Sequence, residues 1–175
     1  MINIAQLKTD LDLDATALYL ASDTIDHIGN ASYQVTQNVN FYAVQNVKEI
    51  RTEAELNSIR SAPSGKYILL NNIELTSETL GADGGEGWNP IGNNSNRFTG
   101  TFNGNGHTVR NLWIDRPSII GVGLFGYINN GAKIRNLGVE IDNSKDGVKG
   151  QRFVGAIAGY VAYSSSITNS YSTGN

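Results

Sequence analysis

The sequence predicts an all-β protein: a right-handed parallel β-helix, or β-solenoid, of about four coils, with a short N-terminal capping helix and an N-terminal β-rich segment. Three observations lead there. After Gly65, short runs rich in Ile, Leu, Val, Phe and Tyr alternate with Asn/Gly/Ser turns, and no helical period returns. Similar words recur along that stretch, the mark of a repeat architecture. The composition fits: of 175 residues, 21 are Asn and 20 are Gly, the residues that take a positive φ at least cost.

In chain order, residues 1–50 form the N-terminal β-rich segment. Leu11, Leu13, Ala15 and Ala17 alternate with Asp12, Asp14 and Thr16, which suggests a strand. Tyr33, Val35, Val39 and Phe41 fall on one face of another, with Gln34, Asn38 and Asn40 opposite. Residues 51–64 supply the capping helix and turn. Thr52 is a natural N-cap and Glu55 stands three residues on, a capping box. Leu56 and Ile59 give the apolar stripe, and Pro63 and Gly65 stop the helix, placing it at about 53–61.

Residues 65–175 carry the repeat. Val109-Arg110-Asn111-Leu112, Ile134-Arg135-Asn136-Leu137 and Ile167-Thr168-Asn169-Ser170 align. Upstream of them, so do Phe98-Thr99-Gly100-Thr101-Phe102, Leu124-Phe125-Gly126-Tyr127-Ile128 and Ile157-Ala158-Gly159-Tyr160-Val161. Asn111 to Asn136 is 25 residues and Asn136 to Asn169 is 33, the excess matching a polar insertion at 143–152. One such unit cannot bury its apolar face, whereas stacked copies can. The alignment expects inward stacks Phe98/Leu124/Ile157 and Phe102/Ile128/Val161, with Leu112 and Ile114 on Leu137 and Val139. Asn111, Asn136 and Asn169 would sit at corners that need positive φ, their amides bonding along the axis as a ladder.

At this point the chain resembles a known group. Val154-Gly155-Ala156-Ile157-Ala158-Gly159-Tyr160, followed by Ser166-Ile167-Thr168-Asn169-Ser170-Tyr171-Ser172-Thr173-Gly174-Asn175, is similar to the GLUG repeat of bacterial surface and secreted proteins. The runs 67–75, 88–92 and 98–109 resemble the regions that precede such repeats. The likeness covers about 50–175. It implies an extracellular or cell-surface adhesin-like protein, displaying loops such as 76–97 and 143–152 to a glycan, a surface or another subunit. Asn72 and Asn103 stand where the pattern has Asp.

Composition and motifs exclude several classes. A net charge of −3 leaves no basic footprint for nucleic acid. Without cysteine there is no disulfide framework or thiolate metal site. No apolar run reaches the roughly 18 residues of a membrane span. His27 and His107 are the only histidines, and no nucleophile elbow, P-loop or zinc motif occurs, so the expectation is a protein that is not an enzyme.

The rival from another class is a polysaccharide lyase or epimerase built on Asp115, Glu140, Asp142 and Arg110. A third reading is a filament-forming subunit. Asp10, Asp12 and Asp14 alternate as in a calcium loop but lack its Gly and distal Glu, so a solvated strand face is preferred. No cofactor is expected, with Asp83 and Glu86 the weak candidates for Ca²⁺. Phe125, Tyr127 and Tyr160 form the candidate binding stripe, continued by Thr99 and Thr101. Its aromatic faces suit a sugar ring or a partner protein. The plainer reading is that part of residues 1–50 covers them. No cap is visible as the repeat reaches Asn175. The expectation is that the chain is the N-terminal piece of a longer repeat protein or that its ends stack on other copies of itself.

Overall fold

A computed structural model describes residues 47–76, 81 and 85–174 in full, and the backbone of 2–3, 17–20, 32–33 and 41–44. The chain divides into two compact units, Met1–Lys48 and Glu49–Asn175. In the first, β1 (Ile2–Asn3) pairs antiparallel with β3 (Ser32–Tyr33), and β2 (Ala17–Leu20) with β4 (Phe41–Val44). The remainder of the strand patterns read over 11–44 lies outside the described residues.

The second unit opens on the predicted helix. Strand β5 (Val47–Ile50) leads into α1 (Glu53–Ser58), which tightens into a 3₁₀ turn at Ile59–Ser61. The capping box forms: Glu55 N–H donates to Thr52 Oγ1 at 3.3 Å, while the Glu55 carboxylate accepts from the Thr52 N–H at 3.0 Å and the Arg51 N–H at 2.7 Å. Leu56 and Ile59 are fully buried. Thr52→Ala is expected to cost about 1 kcal/mol in chemical denaturation. The Arg51 backbone bond, chiefly, holds the Glu55 carboxyl below its ordinary value. The cap's electrostatic contribution is therefore complete above the ordinary carboxylate pKa and is lost as pH falls through the lowered one.

Twelve strands then wind as a parallel β-solenoid of about three turns. They are β6 (Lys66–Leu69), β7 (Ile73–Glu74), β8 (Thr101–Asn103), β9 (Thr108–Leu112), β10 (Ile114–Val122), β11 (Phe125–Ile128), β12 (Lys133–Arg135), β13 (Gly138–Ile141), β14 (Val148–Val154), β15 (Ala158–Val161), β16 (Ser166–Thr168) and β17 (Tyr171–Thr173). One wall runs β16-β12-β8-β6-β5 and a second β17-β13-β9-β7. β10 pairs with β14, and β11 with β15; parallel bridges Ile91↔Phe125 and Phe98↔Ile128 extend the β11 wall one rung further. Tyr67, Phe102, Ile134 and Ile167 occupy one register line, so a turn takes 32 to 35 residues, each step being the difference of paired numbers.

That period corrects the alignment. Phe98–Phe102 does not lie under Leu124–Ile128. The word straddles a corner: Phe98 ends one wall against Ile128, and Phe102 enters the next against Ile134. Likewise Val109 pairs with Val139 and Leu112 with Ile141, rather than Leu112 and Ile114 stacking on Leu137 and Val139. Nor is 143–152 an inserted loop. Ile114 pairs with Val148 and Val122 with Val154, leaving only 143–147 of that stretch outside the strands.

The core runs through the coil as one apolar column including Trp88, Phe98, Phe102, Val109, Ile114, Leu124, Ile134 and Val139, all with no exposed surface. Trp88 is the largest of these; its indole N–H donates to the Leu124 carbonyl at 3.0 Å and the Arg60 guanidinium lies 4.3 Å over its ring.

Candidate functional site

The corner asparagines divide into two roles. Asn111, Asn136 and Asn169 all take positive φ, at 61°, 53° and 47°. Asn136 and Asn169 turn the same corner one rung apart, between β12 and β13 and between β16 and β17. Asn111 sits inside β9, where the pairing with β13 slips by one residue. Asn111 is thus no member of a ladder through Asn136. The amide bond along the axis runs from Asn136 Nδ2 to Asn103 Oδ1 at 3.2 Å, and Asn103 Oδ1 also accepts from the Asn105 N–H at 3.0 Å. Asn72 Oδ1 accepts from the Thr108 N–H at 3.0 Å. The two amides standing where the repeat pattern has Asp therefore pin neighbouring backbone. Asn136→Val removes both the tolerant residue and the bond to a nearly buried Asn103, and is expected to cost about 1–3 kcal/mol in thermal melts, Asn136→Gly costing less.

The aromatic stripe also divides. Phe125 is fully buried, its ring 4.9 Å from Phe98 and 5.3 Å from Phe102. It belongs to the core, because Ile91 and its neighbours add a rung that the pattern of β11 alone does not reveal. Tyr127 and Tyr160 are half-buried, in register on β11 and β15, with ring centroids 5.2 Å apart. The Tyr127 ring is seated over Gly121, where a Cβ would meet ring carbon Cε2 at 2.4 Å. Phe153 extends the row, 5.0 Å from Tyr160. Together with Asn94, Arg97 and Tyr163 these side chains line a shallow groove of about 260 Å³. Thr99 and Thr101 do not continue the row: Thr101 is on β8, opposite Lys133.

Four of the groove residues escaped the sequence pattern. Phe153, inside β14, and Tyr163, just past β15, stand at φ of 54° and 47°, a conformation bulky side chains rarely adopt. Arg97 is held by its own loop, Nε donating to the Asn94 carbonyl at 3.1 Å and Nη2 to Asn94 Oδ1 at 2.9 Å. Their only sequence signal is their density of aromatic and amide groups, spread over three separate segments.

The charged candidates find local partners. Glu86 faces Arg116 at 2.8 Å, and the same buried guanidinium donates to the Trp88 and Gly87 carbonyls at 3.3 and 3.2 Å. Asp83 lies outside the described residues. The Arg110 guanidinium stands 3.3 Å from Glu140 and 3.8 Å from Glu74, bridging three rungs on the outer surface. Asp115 pairs in register with Lys149. Asp142 accepts from both the Ser144 hydroxyl and N–H, at 2.7 and 2.8 Å, and the hydroxyl bond foremost holds its carboxyl below the usual range.

Fold and groove together define a β-solenoid with an aromatic groove lined from both the β11/β15 and β10/β14 walls. Over 95 residues the chain is 39% identical to a Gly-rich membrane protein of Evansella cellulosilytica, a match covering 53% of this chain and 11% of that protein. Over 129 residues it is 31% identical to halomucin of Haloquadratum walsbyi, covering 73% of this chain and 1% of halomucin. The chain thus spans a small fraction of the length of either relative. No protein-family model matches it, so the likeness to GLUG repeats stands as a resemblance, and no solved structure matches it either. Among the described residues, no helix is long and apolar enough to cross a membrane.

Proposed function

We propose that this chain is a non-catalytic adhesion or structural module of a secreted or cell-surface protein. The observation that carries the reading is its similarity to a Gly-rich membrane protein and to halomucin. The solenoid supports it physically. Parallel pairing in successive rungs fixes the groove's two walls in place, so groups projecting from them are held in register for contact. Of the acids offered for a lyase-type site, Glu140 is engaged by Arg110 and Asp142 by a turn, and Asp142 has its carboxyl lowered where a general acid requires it raised.

The test is retention of the labelled chain on immobilised cell-surface polysaccharide and on whole microbial cells. Saturable retention is expected, with no unsaturated or reducing ends released from pectate, alginate or chondroitin. Release of such ends would overturn the non-catalytic reading, and absence of retention on every surface would overturn the adhesive one.

A further inference from the structure

We infer that the groove lined by Asn94, Arg97, Tyr127, Phe153, Tyr160 and Tyr163 is a seat for an acidic sugar, a uronate residue of a glycan. The inference rests on the adhesive reading above and names the ligand class for it.

Three independent features converge. The first is the ring row. Tyr127, Tyr160 and Phe153 stand at successive centroid spacings of 5.2 and 5.0 Å, tilted at 44° and 58°, so their faces make a trough rather than a closed stack. A pyranose offers an apolar C–H face to such rings and hydroxyls to the tyrosine tips, a pairing of flat apolar surface and polar edge. At about 260 Å³ the groove falls just below the roughly 300–1,000 Å³ of pockets that engulf a drug-sized ligand. It suits one or two rings of a chain that continues outside.

The second feature is charge. Arg97 is half-buried, and its guanidinium is fixed by two bonds to Asn94. Among the described residues no carboxylate pairs with it, whereas Arg51, Arg110 and Arg116 each have one. A pre-positioned, unneutralised guanidinium beside aromatic faces is suited to a carboxylate, which it can grip with two parallel bonds. This distinguishes a uronate from a neutral hexose.

The third feature is strain. Phe153, near the end of β14, and Tyr163, just past β15, hold positive φ and are 51% and 72% exposed. Folding alone favours glycine in that conformation, and an exposed ring gains little from packing there. Both rings border the groove, so the strained positions coincide with the proposed seat.

The experiment titrates the chain with trigalacturonate and a hyaluronan tetrasaccharide, against neutral galactotriose and polyglutamate, by calorimetry and by tyrosine NMR signals. Binding of a uronate oligosaccharide is expected. Arg97→Gln is expected to weaken it by about tenfold or more while leaving galactotriose binding unchanged. Tyr160→Ala weakens binding of both acidic and neutral sugars. Tyr163→Gly separates binding from folding: it is expected to raise the melting midpoint while lowering uronate affinity severalfold.

The inference is overturned if neither uronate binds the folded chain, if polyglutamate binds with the same dependence on Arg97, or if the variants bind like the parent. Cell retention that survives Arg97→Gln and Tyr160→Ala would sink the groove and leave the adhesive reading standing. Uronate binding without any retention would do the reverse.

Discussion

Truncating Phe125 to alanine is expected to destabilise the solenoid by about 3–5 kcal/mol, the range for a large aromatic removed from a closed core. For a unit of this size that corresponds to a fall of about 11–19 °C in melting midpoint. The ring has no exposed surface and meets Phe98 and Phe102 at once, tilted against one and edge-on to the other. Such pairs add roughly 0.5–1.5 kcal/mol each beyond area. The cavity has little means of collapsing. The Phe125 N–H is bonded to Ile157 and the next N–H to Ile91, so both adjacent rungs are pegged at their spacing. The half-buried Tyr160 on the neighbouring rung makes the control: Tyr160→Ala is expected to cost less than about 1.5 kcal/mol. Denaturation of the two variants side by side measures it. Equal midpoints would place Phe125 on the surface, as its alternation with Gly126 and Tyr127 first suggests.

Phe125 also shows where the sequence stops being readable. Alternation assigns faces only when one face of a strand meets solvent. β11 is covered on both sides, by its core and by residues 90 and 92 of the preceding turn with Gly121 of β10. Nothing inside the five-residue word announces that cover. Register has the same difficulty. Leu124–Ile128 and Ile157–Val161 are true copies 33 residues apart, and they pair as aligned. Phe98–Phe102 has similar letters but crosses a corner, and strands of three to five residues carry too few letters to tell the two cases apart.

Features set by local chemistry were legible. The helix over 53–61 follows from a cap, a stripe and a stop within a dozen residues. The positive φ of Asn111, Asn136 and Asn169 follows from what an Asn backbone tolerates. Phe153 and Tyr163 reach the same angles against their intrinsic preference. Only the surrounding coil holds them there, so these two of the six groove residues have no signature in the sequence.

Gly126→Ala is the sharper test of how the turns are stacked. A methyl at Gly126 would lie 2.2 Å from the Gly92 carbonyl oxygen, 2.9 Å from that of Gly121 and 3.1 Å from Pro90 Cβ. Two of these atoms are backbone and cannot rotate away. The Gly92 oxygen is itself the acceptor for the Tyr127 N–H, and the adjacent Ile91 oxygen accepts from Gly126. Relieving the clash means moving the 90–92 segment outward and opening both bonds. The expected cost is about 3 kcal/mol, the upper end for overpacking, read as a lower denaturation midpoint with loss of protection at the Gly126 and Tyr127 amides. Gly131→Ala separates space from backbone angle. Gly131 has φ of 77° but open space where a Cβ would be, so its loss reflects conformational strain alone, about 1 kcal/mol. If Gly126→Ala proves as mild as Gly131→Ala, residues 90–92 do not lie over β11. The bridge between Ile91 and Phe125 would then be wrong, and with it the burial of Phe125.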